Sequence, residues 1–265
     1  MLRVGALAIA PVKGMRTVAV DALELTASGP VGDRGFHLRE TDGGIALTKR
    51  YPRLVQVVPA WDGEKLALAF PDGSRVAAPV VPGAAVSTTF YDGRAVPGRA
   101  VEGPFGPALS HYLGRPLELV AHDDGVRGGD DHPVTLMSDG SLAAVSAALD
   151  GVVVDPRRFR MTIAVEGAQA WEEDGWAGRE VTVGSATLRV AVPTERCAVT
   201  TRDPDDGHGD LPVLRALARL RGKRDVAFGV WCDVAIPGVV RVGDAVAPAT
   251  TGPESTPIPV RGRPA

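Results

Sequence analysis

The chain has 265 residues, of which 45% are hydrophobic and 23% charged, and its formal net charge is −3. This is the composition of an ordinary globular protein with a sizeable core, and the absence of a global basic field leads us to expect no nucleic-acid partner. No run of about 18 apolar residues is present to cross a bilayer, so we expect no membrane partner. Two cysteines are too few for a disulfide framework.

The first segment, MLRVGALAIAPV, holds one arginine and a short apolar run. A secretory signal needs a longer apolar stretch and a cleavage site of small residues. The segment therefore predicts a first β-strand over residues 3–10, and we expect a cytoplasmic protein.

Short strand-like runs separated by turn signals dominate the first 100 residues. The turns contain Asp-Gly pairs at 42–43, 62–63 and 72–73, which are typical of tight connections between strands. This spacing predicts a small barrel or meander. The predicted strands cover residues 3–10, 18–25, 36–39, 54–60, 66–70 and 75–80.

The second half mixes helices with strands. We predict a short helix over 107–113 that ends at Gly114, a helix with Ser138 as its N-cap, and a helix over 211–220. The predicted strands cover residues 162–165, 180–183, 187–192, 226–234 and 239–242.

A polar, glycine-rich stretch at residues 121–132 marks a candidate boundary between two halves. We therefore predict a mainly β fold with a few helices, of the α+β class. It would comprise an N-terminal β-barrel-like domain over residues 1–100 and a second β-barrel domain over 101–247. Residues 248–265, rich in Pro and Thr, are predicted to be a disordered tail.

Cys197 is the first candidate for chemistry. It follows Arg196 in the segment PTERCAVTTRDPDDG. The thiolate is the reactive and metal-binding form of cysteine, and a neighbouring guanidinium favours it. Most free cysteines are nonetheless buried and inert, so the residue type alone leaves a core role and a ligand role open.

Basic residues at strand ends are the second group. Lys13 and Arg16 follow the first strand, and Gly14 between them would let the backbone approach a ligand closely. Such a pair holds a phosphate or simply lies in solvent. Arg34 and Arg160 each stand near a phenylalanine in a β context, in which Phe159 and Arg160 would alternate between the core and a cleft or solvent. An anionic cofactor would need several of these cations to converge.

A third group, Asp130, Asp131 and His132, stands immediately before an apolar strand. A carboxylate or imidazole at a strand edge could move a proton, and the same residues also suit a polar turn. The sequence contains no GxGxxG, Walker, HExxH or CxxC motif, and the histidines show no metal-ligand spacing.

Taken in order, these segments resemble the MOSC-domain proteins, named for the C-terminal domain of molybdenum-cofactor sulfurases. The similarity is to the branch with an N-terminal β-barrel domain, which includes the mitochondrial amidoxime-reducing component and its bacterial relatives. The resemblance rests on PVKGMR (11–16), GDRGF (32–36), LTKRYPRLV (47–55), HPVTLMSDGSLAAV (132–145), VDPRRFRMTIAV (154–165), ERCAVTTRDPDDG (195–207), FGVW (228–231) and PGVVRVGDAV (237–246).

The resemblance implies a molybdenum cofactor, molybdenum bound to molybdopterin. It makes Cys197 the protein's ligand to the metal and Asp130 a carboxylate near it, and it implies that Arg196 positions the cysteine loop. The remaining residues implied to bind the cofactor are Lys13, Gly14, Arg34, Asp131, Ser138, Ser141, Arg160 and Thr200.

Two residues depart from the family pattern. Thr194 replaces the first cysteine of a Cys-x-Arg-Cys motif, and Gly14 stands where serine is common, which removes a hydrogen bond to phosphate. No fused ferredoxin-like iron–sulfur domain is present. We therefore expect a separate electron-donor protein, of the ferredoxin or flavoprotein type, and a small-molecule substrate.

Three functions remain open at this point. The first is a molybdenum-dependent oxidoreductase that reduces N-hydroxylated compounds. The second is a sulfur carrier that uses a persulfide on Cys197, and the third is a non-catalytic module that binds the cofactor. The presence of the N-terminal half favours the reductase, because sulfur transfer by a MOSC domain would not need it.

Overall fold

Short β-strands are the predominant secondary structure of this chain. The structure is a computed structural model that describes residues 1–122, 131–222 and 225–250. The strands of the first half are β1 Arg3–Ile9, β2 Val18–Val20, β3 Ala22–Thr26, β4 Gly29–Pro30, β5 Phe36–Glu40, β6 Val58–Trp61, β7 Lys65–Ala69, β8 Arg75–Pro79, β9 Val81–Thr89 and β10 Ala95–Glu102. Those of the second half are β11 Leu117–His122, β12 Val134–Ser138, β13 Ile163–Glu166, β14 Glu180–Val183, β15 Ala186–Glu195, β16 Ala227–Ile236, β17 Gly238–Arg241 and β18 Val246–Pro248.

Three α-helices accompany the described strands: α1 Phe105–Leu113, α2 Asp139–Ala147 and α3 Val213–Arg221. Four short 3₁₀ turns occur at Pro52–Gln56, Pro156–Phe159, Glu172–Trp176 and Ala198–Thr201. The predicted α+β class with a predominance of strands is confirmed. No helix in the described ranges is both long and apolar enough to cross a membrane.

The largest sheet has eight strands in the order β18-β14-β15-β16-β12-β13-β1-β2. Its strand β1 is antiparallel to β13, so the N-terminal strand pairs with the second half of the chain. A four-stranded sheet has the order β5-β11-β10-β9, and two three-stranded sheets have the orders β17-β3-β4 and β6-β7-β8. Among the residues that the structure describes, no sheet closes on itself by hydrogen bonding.

Three apolar clusters form most of the core. One contains Val4, Leu136 and Val230 from the eight-stranded sheet. A second contains Leu38 and Phe105 and lies in the first half. A third, with Phe159, Leu217 and Phe228, packs α2 and α3 against the sheet. The Phe159 and Phe228 rings stack with centroids 3.7 Å apart. This third cluster supports the segments that present the candidate site.

Local signals placed the helices well. The hydroxyl of Ser138 accepts a 3.1 Å hydrogen bond from the N–H of Ser141, so the predicted N-cap of α2 is confirmed. Helix α1 ends at Gly114, whose φ of 70° is easy for a residue without a side chain.

Two strand predictions were wrong in part. Residues 54–60 were expected to form one strand, but Pro52 fits the first turn of a 3₁₀ segment that buries Leu54 and Val55, and the strand begins only at Val58. Arg160 was expected in a β context, but it has a left-handed backbone with φ 53°. It therefore ends a turn, and its side chain does not alternate with that of Phe159 as in a strand.

Candidate functional site

Cys197 stands where β15 gives way to a 3₁₀ turn. The residue is exposed, whereas Cys232, the other cysteine, is buried in β16. Burial raises the pKa of the Cys232 thiol, which makes that thiol an inert core group. Cys197 is therefore the thiol that a ligand could reach.

Two side chains hold the cysteine turn. The N–H and the hydroxyl of Thr200 both donate to the carbonyl oxygen of Cys197, at 3.1 and 3.0 Å. The guanidinium of Arg196 donates to the carbonyl oxygen of Phe159, and its carbon lies 5.8 Å from the centre of that ring. Arg196 thus points away from solvent and ties the turn to the segment before β13, in keeping with the positioning role implied by the resemblance.

A pocket lies beside this turn and is lined mainly by arginines. Val199, two residues after Cys197, is part of its wall. Arg160 lines it from the segment before β13, and Arg16, Thr17 and Val55 line it from the first half of the chain. The other lining residues are Arg157, Arg158, Arg202, Asp203 and Pro204. Several cations do converge here, as an anionic ligand would require.

Residues 203–210, which we call the clamp loop, partly neutralise these arginines. The loop is closed by hydrogen bonds from the Asp203 N–H to the His208 carbonyl and from the Gly207 N–H to the Asp203 carbonyl, at 2.7 and 2.9 Å. Arg157 makes two bonds, of 2.9 and 2.8 Å, to the carboxylate of Asp205. These bonds hold the pKa of the Asp205 carboxyl below its usual value.

The first half of the chain also holds the clamp loop. A guanidinium nitrogen of Arg16 lies 3.2 Å from the Asp205 carboxylate and donates to its carbonyl oxygen at 3.1 Å. A Cβ added at Gly207 would come within 2.3 Å of the Pro52 carbonyl oxygen. The loop therefore connects the wall that carries Arg16 to the wall that carries Arg157.

Lys13 and Gly14 lie where the chain leaves β1. The Lys13 N–H donates to the carbonyl oxygen of Phe36 at 2.8 Å, and its ammonium lies 5.7 Å from the centre of the Phe90 ring. Gly14 has a φ of 89°, and its carbonyl oxygen accepts from the Thr48 hydroxyl at 3.2 Å. Neither residue lines the arginine pocket.

Arg34 lies beside the end of β1. Its backbone has a φ of 50°, and its N–H donates to the Ala10 carbonyl at 2.9 Å. Its guanidinium pairs with the carboxylate of Asp33. The structure thus brings Arg34 to the same end of β1 as Lys13.

The acidic segment before β12 is described only in part. Asp130 lies outside the described residues. Asp131 is exposed, and its carboxylate is 3.8 Å from the guanidinium of Arg94, in the turn between β9 and β10. His132 is placed with its Nδ1 3.1 Å from the Asp233 carboxylate.

Ser138 and Ser141 lie together, fully buried, away from the lining of the arginine pocket. Both hydroxyls donate to Glu173, at 2.7 and 2.9 Å, and the Ser138 N–H donates to the same carboxylate at 3.1 Å. Burial raises the pKa of Glu173 despite these bonds. In this arrangement the two serines support α2 from inside the protein.

Sequence reasoning did not single out Arg157, Arg158 or the carboxylates that face them. A signal was present, because basic residues at 157–158 and acidic residues at 203, 205, 206 and 210 stand in two oppositely charged segments. Sequence reasoning also missed Glu173 and His37. The Nδ1 atom of His37 lies 3.1 Å from Nε2 of His122 because β5 and β11 are neighbours in a sheet.

These residues fit the anionic, sulfur-rich cofactor that the resemblance implies. An exposed thiol suits a soft or high-valent metal, and the neighbouring guanidiniums suit a phosphate or a pterin. One buried donor is also unused, because the Nε of Arg158 has no hydrogen-bond acceptor among the described residues. No group of three or more potential metal ligands occurs in that part of the chain.

Two family models together match most of the chain. The model of the MOSC domain matches residues 123–247, and the model of the MOSC N-terminal beta barrel domain matches residues 1–104. The chain belongs to the MOSC-domain proteins that carry this N-terminal domain. The matched regions include every residue of the candidate site.

Curated relatives of this MOSC protein include human mitochondrial amidoxime-reducing component 1, which is 26% identical over 90% of the chain and 80% of the relative. Mitochondrial amidoxime reducing component 2 of Macaca fascicularis is 27% identical over 90% and 81%. Among solved structures, the YUAD protein from Bacillus subtilis aligns with a TM-score of 0.50 and 16% identity, covering 94% of this chain and 96% of that one. This last likeness concerns the fold alone.

Proposed function

We propose that this protein is a molybdenum-cofactor-binding oxidoreductase that reduces N-hydroxylated compounds, with Cys197 as the protein's ligand to molybdenum. One observation carries the proposal: the exposed thiol of Cys197 precedes a turn from which Val199 lines an arginine-rich pocket. The family supports the cofactor, and the curated relatives named as amidoxime-reducing components support the reaction class.

The chain's own residues would bind and orient the cofactor. Arg160, with Arg16 opposite it, supplies positive charge beside the Cys197 turn. Lys13 and Arg34 supply further cations at the end of β1, where Gly14 adopts a left-handed backbone with φ 89°. Asp131 would line the acidic edge of the site, and Thr200 fixes the Cys197 carbonyl.

The bound cofactor would supply the electron-transfer and oxygen-accepting chemistry. Reduction of an N–OH group to N–H consumes two electrons and two protons and releases water. The protein's part is to deliver the protons, for which Asp130 or a water is the proposed donor. The electrons would come from a separate ferredoxin- or flavoprotein-type donor.

Two other functions use the same cysteine. A sulfur carrier would hold a persulfide on Cys197, and a binding module would hold the cofactor without turnover. The exposure of Cys197 suits a persulfide equally well. The arginine pocket favours the cofactor, because a persulfide has no phosphate or pterin for these cations to bind.

An activity assay tests the proposal. Protein purified from a host that makes the cofactor should reduce benzamidoxime to benzamidine with reduced methyl viologen as the electron source. Cys197→Ser should abolish turnover, and Cys232→Ala, a change at the buried cysteine, should keep it. Sulfane sulfur on Cys197 without molybdenum would favour the carrier, and bound molybdenum without turnover would favour the binding module.

A further inference from the structure

Arg158 is a buried arginine directly behind the cysteine turn. Its side chain is 4% exposed. One terminal nitrogen donates to the carbonyl oxygen of Arg202 at 2.6 Å and to the carboxylate of Asp210 at 2.7 Å, and the other donates to the second oxygen of Asp210. Its bonds hold the pKa of the Asp210 carboxyl below its usual value. The guanidinium of Arg158 thus donates hydrogen bonds to both a backbone acceptor and a side-chain acceptor.

These two acceptors bound the far end of the turn that begins at Cys197. The Arg202 N–H donates to the Val199 carbonyl at 3.1 Å, and the Asp210 N–H donates to the Thr201 carbonyl, also at 3.1 Å. Holding Arg202 and Asp210 therefore fixes the last residues of the turn.

The near end of the turn is held by the next residue of the same segment. The carbonyl oxygen of Phe159 accepts from the guanidinium of Arg196, which immediately precedes Cys197. Adjacent residues, Arg158 and Phe159, thus hold the two ends of the cysteine turn. Arg160 follows them directly and lines the pocket.

We infer that Arg158 is a positioning residue for the Cys197 thiol and that it fixes the thiol relative to Arg160. The inference rests on the proposed function, in which Cys197 and Arg160 contact the cofactor. A lysine cannot reproduce this role, because its single ammonium lacks the fixed fork that serves two acceptors at once. In an Arg158→Lys variant, we therefore expect the Cys197 thiol to lose its fixed position while the rest of the fold persists.

The experiment compares wild type with Arg158→Lys and Asp210→Asn by hydrogen exchange on the full chain without cofactor. We expect amides of residues 197–210 to exchange roughly tenfold faster in both variants, while amides of the β15–β16 ladder keep their rates. Arg189→Lys is the matched control, since Arg189 forms an exposed ion pair with Glu180 on the sheet, and it should change neither.

A second measurement follows loss of molybdenum from loaded protein during dialysis. Arg158→Lys should lose the metal several-fold faster than wild type or Arg189→Lys. Unchanged exchange in residues 197–210, uniformly faster exchange throughout the fold, or an unchanged rate of metal loss would each overturn the inference. If wild-type protein binds no molybdenum, the proposed function is wrong. The exchange rates, measured without cofactor, still show whether Arg158 orders the turn.

Discussion

The carboxylate of Asp33 accepts a 2.6 Å hydrogen bond from the backbone N–H of Ala10. The same side chain is 2% exposed and pairs with the guanidinium of Arg34. Because the Arg34 N–H in turn donates to the Ala10 carbonyl, the segment carrying Arg34 is fixed to the end of β1. Lys13 follows three residues later, so this contact fixes two of the proposed cofactor-binding residues relative to each other.

Replacement of this carboxylate, in Asp33→Ala, should lower the free energy of unfolding by about 2 kcal/mol, because the N–H of the buried Ala10 loses its hydrogen-bond acceptor. Urea unfolding followed by circular dichroism measures the change. Asp42→Ala is the control, since Asp42 is exposed and accepts a hydrogen bond from the neighbouring Gly44. A loss at position 33 no larger than that at position 42 would contradict this account.

His37 should make the protein sensitive to acid. Burial, together with the positive charges of His122, Lys13 and Arg39, lowers the pKa of His37 to about 3. In the unfolded chain His37 binds a proton near pH 6.5, whereas in the folded chain it stays neutral until the pH approaches 3. The free energy of unfolding is therefore highest above pH 6.5 and decreases as the pH falls toward 3. At pH 5 the loss attributable to His37 is about 2 kcal/mol.

Unfolding measured at several pH values tests this directly. His37→Gln should flatten the decline between about pH 7 and pH 5, and His111→Gln should not, because His111 is exposed. Identical pH profiles for wild type and His37→Gln would show that the buried His37 is not the origin of the decline.

Glu173 should act in the opposite direction. Its pKa is raised by burial, so the folded state binds the proton more tightly than the unfolded state. Its contribution to stability is therefore complete below the ordinary glutamate pKa and is lost as the pH rises through the raised value. The stability of wild type relative to Glu173→Gln should fall as the pH rises above the ordinary glutamate pKa, and urea unfolding at a series of pH values measures this difference. A difference that does not change with pH would exclude the raised pKa.

Gly207 should be needed for its lack of a side chain as well as for its backbone angle. Its φ is 83°, and an added Cβ would approach the Pro52 carbonyl oxygen. Gly73, with φ 86° and open space around it, is the matched control. Gly73→Ala should cost about 1 kcal/mol from backbone strain alone, and Gly207→Ala about 2 kcal/mol more from the overlap. Equal costs would mean that the clamp loop moves away from Pro52 without penalty.

Much of the fold follows from local sequence patterns. Strand β1 and the N-cap at Ser138 were predictable because a short apolar run and a capping serine are signals carried by neighbouring residues. Strands β9, β10 and β11 were missed. Strands β9 and β10 contain Pro and Gly, which are depleted in strands, and β10 and β11 pair across the intervening helix α1.

The candidate site was predictable in its residue types but not in its contacts. The motif around Cys197 pointed to the thiol, and the scattered cations pointed to an anion. Arg158 forms hydrogen bonds with Arg202 and Asp210, which are 44 and 52 positions away along the chain. No local pattern indicates which carboxylate an arginine will pair with. The burial of Ser138 and Ser141 against Glu173 likewise depends on the fold.

The central claim is that Cys197 holds molybdenum, and metal analysis of protein purified from a host that makes the cofactor tests it most directly. Wild type and Cys232→Ala should contain near-stoichiometric molybdenum, and Cys197→Ser should contain almost none while unfolding at the same temperature as cofactor-free wild type. Well-folded wild type without molybdenum, or a Cys197→Ser variant that keeps the metal, would contradict the claim.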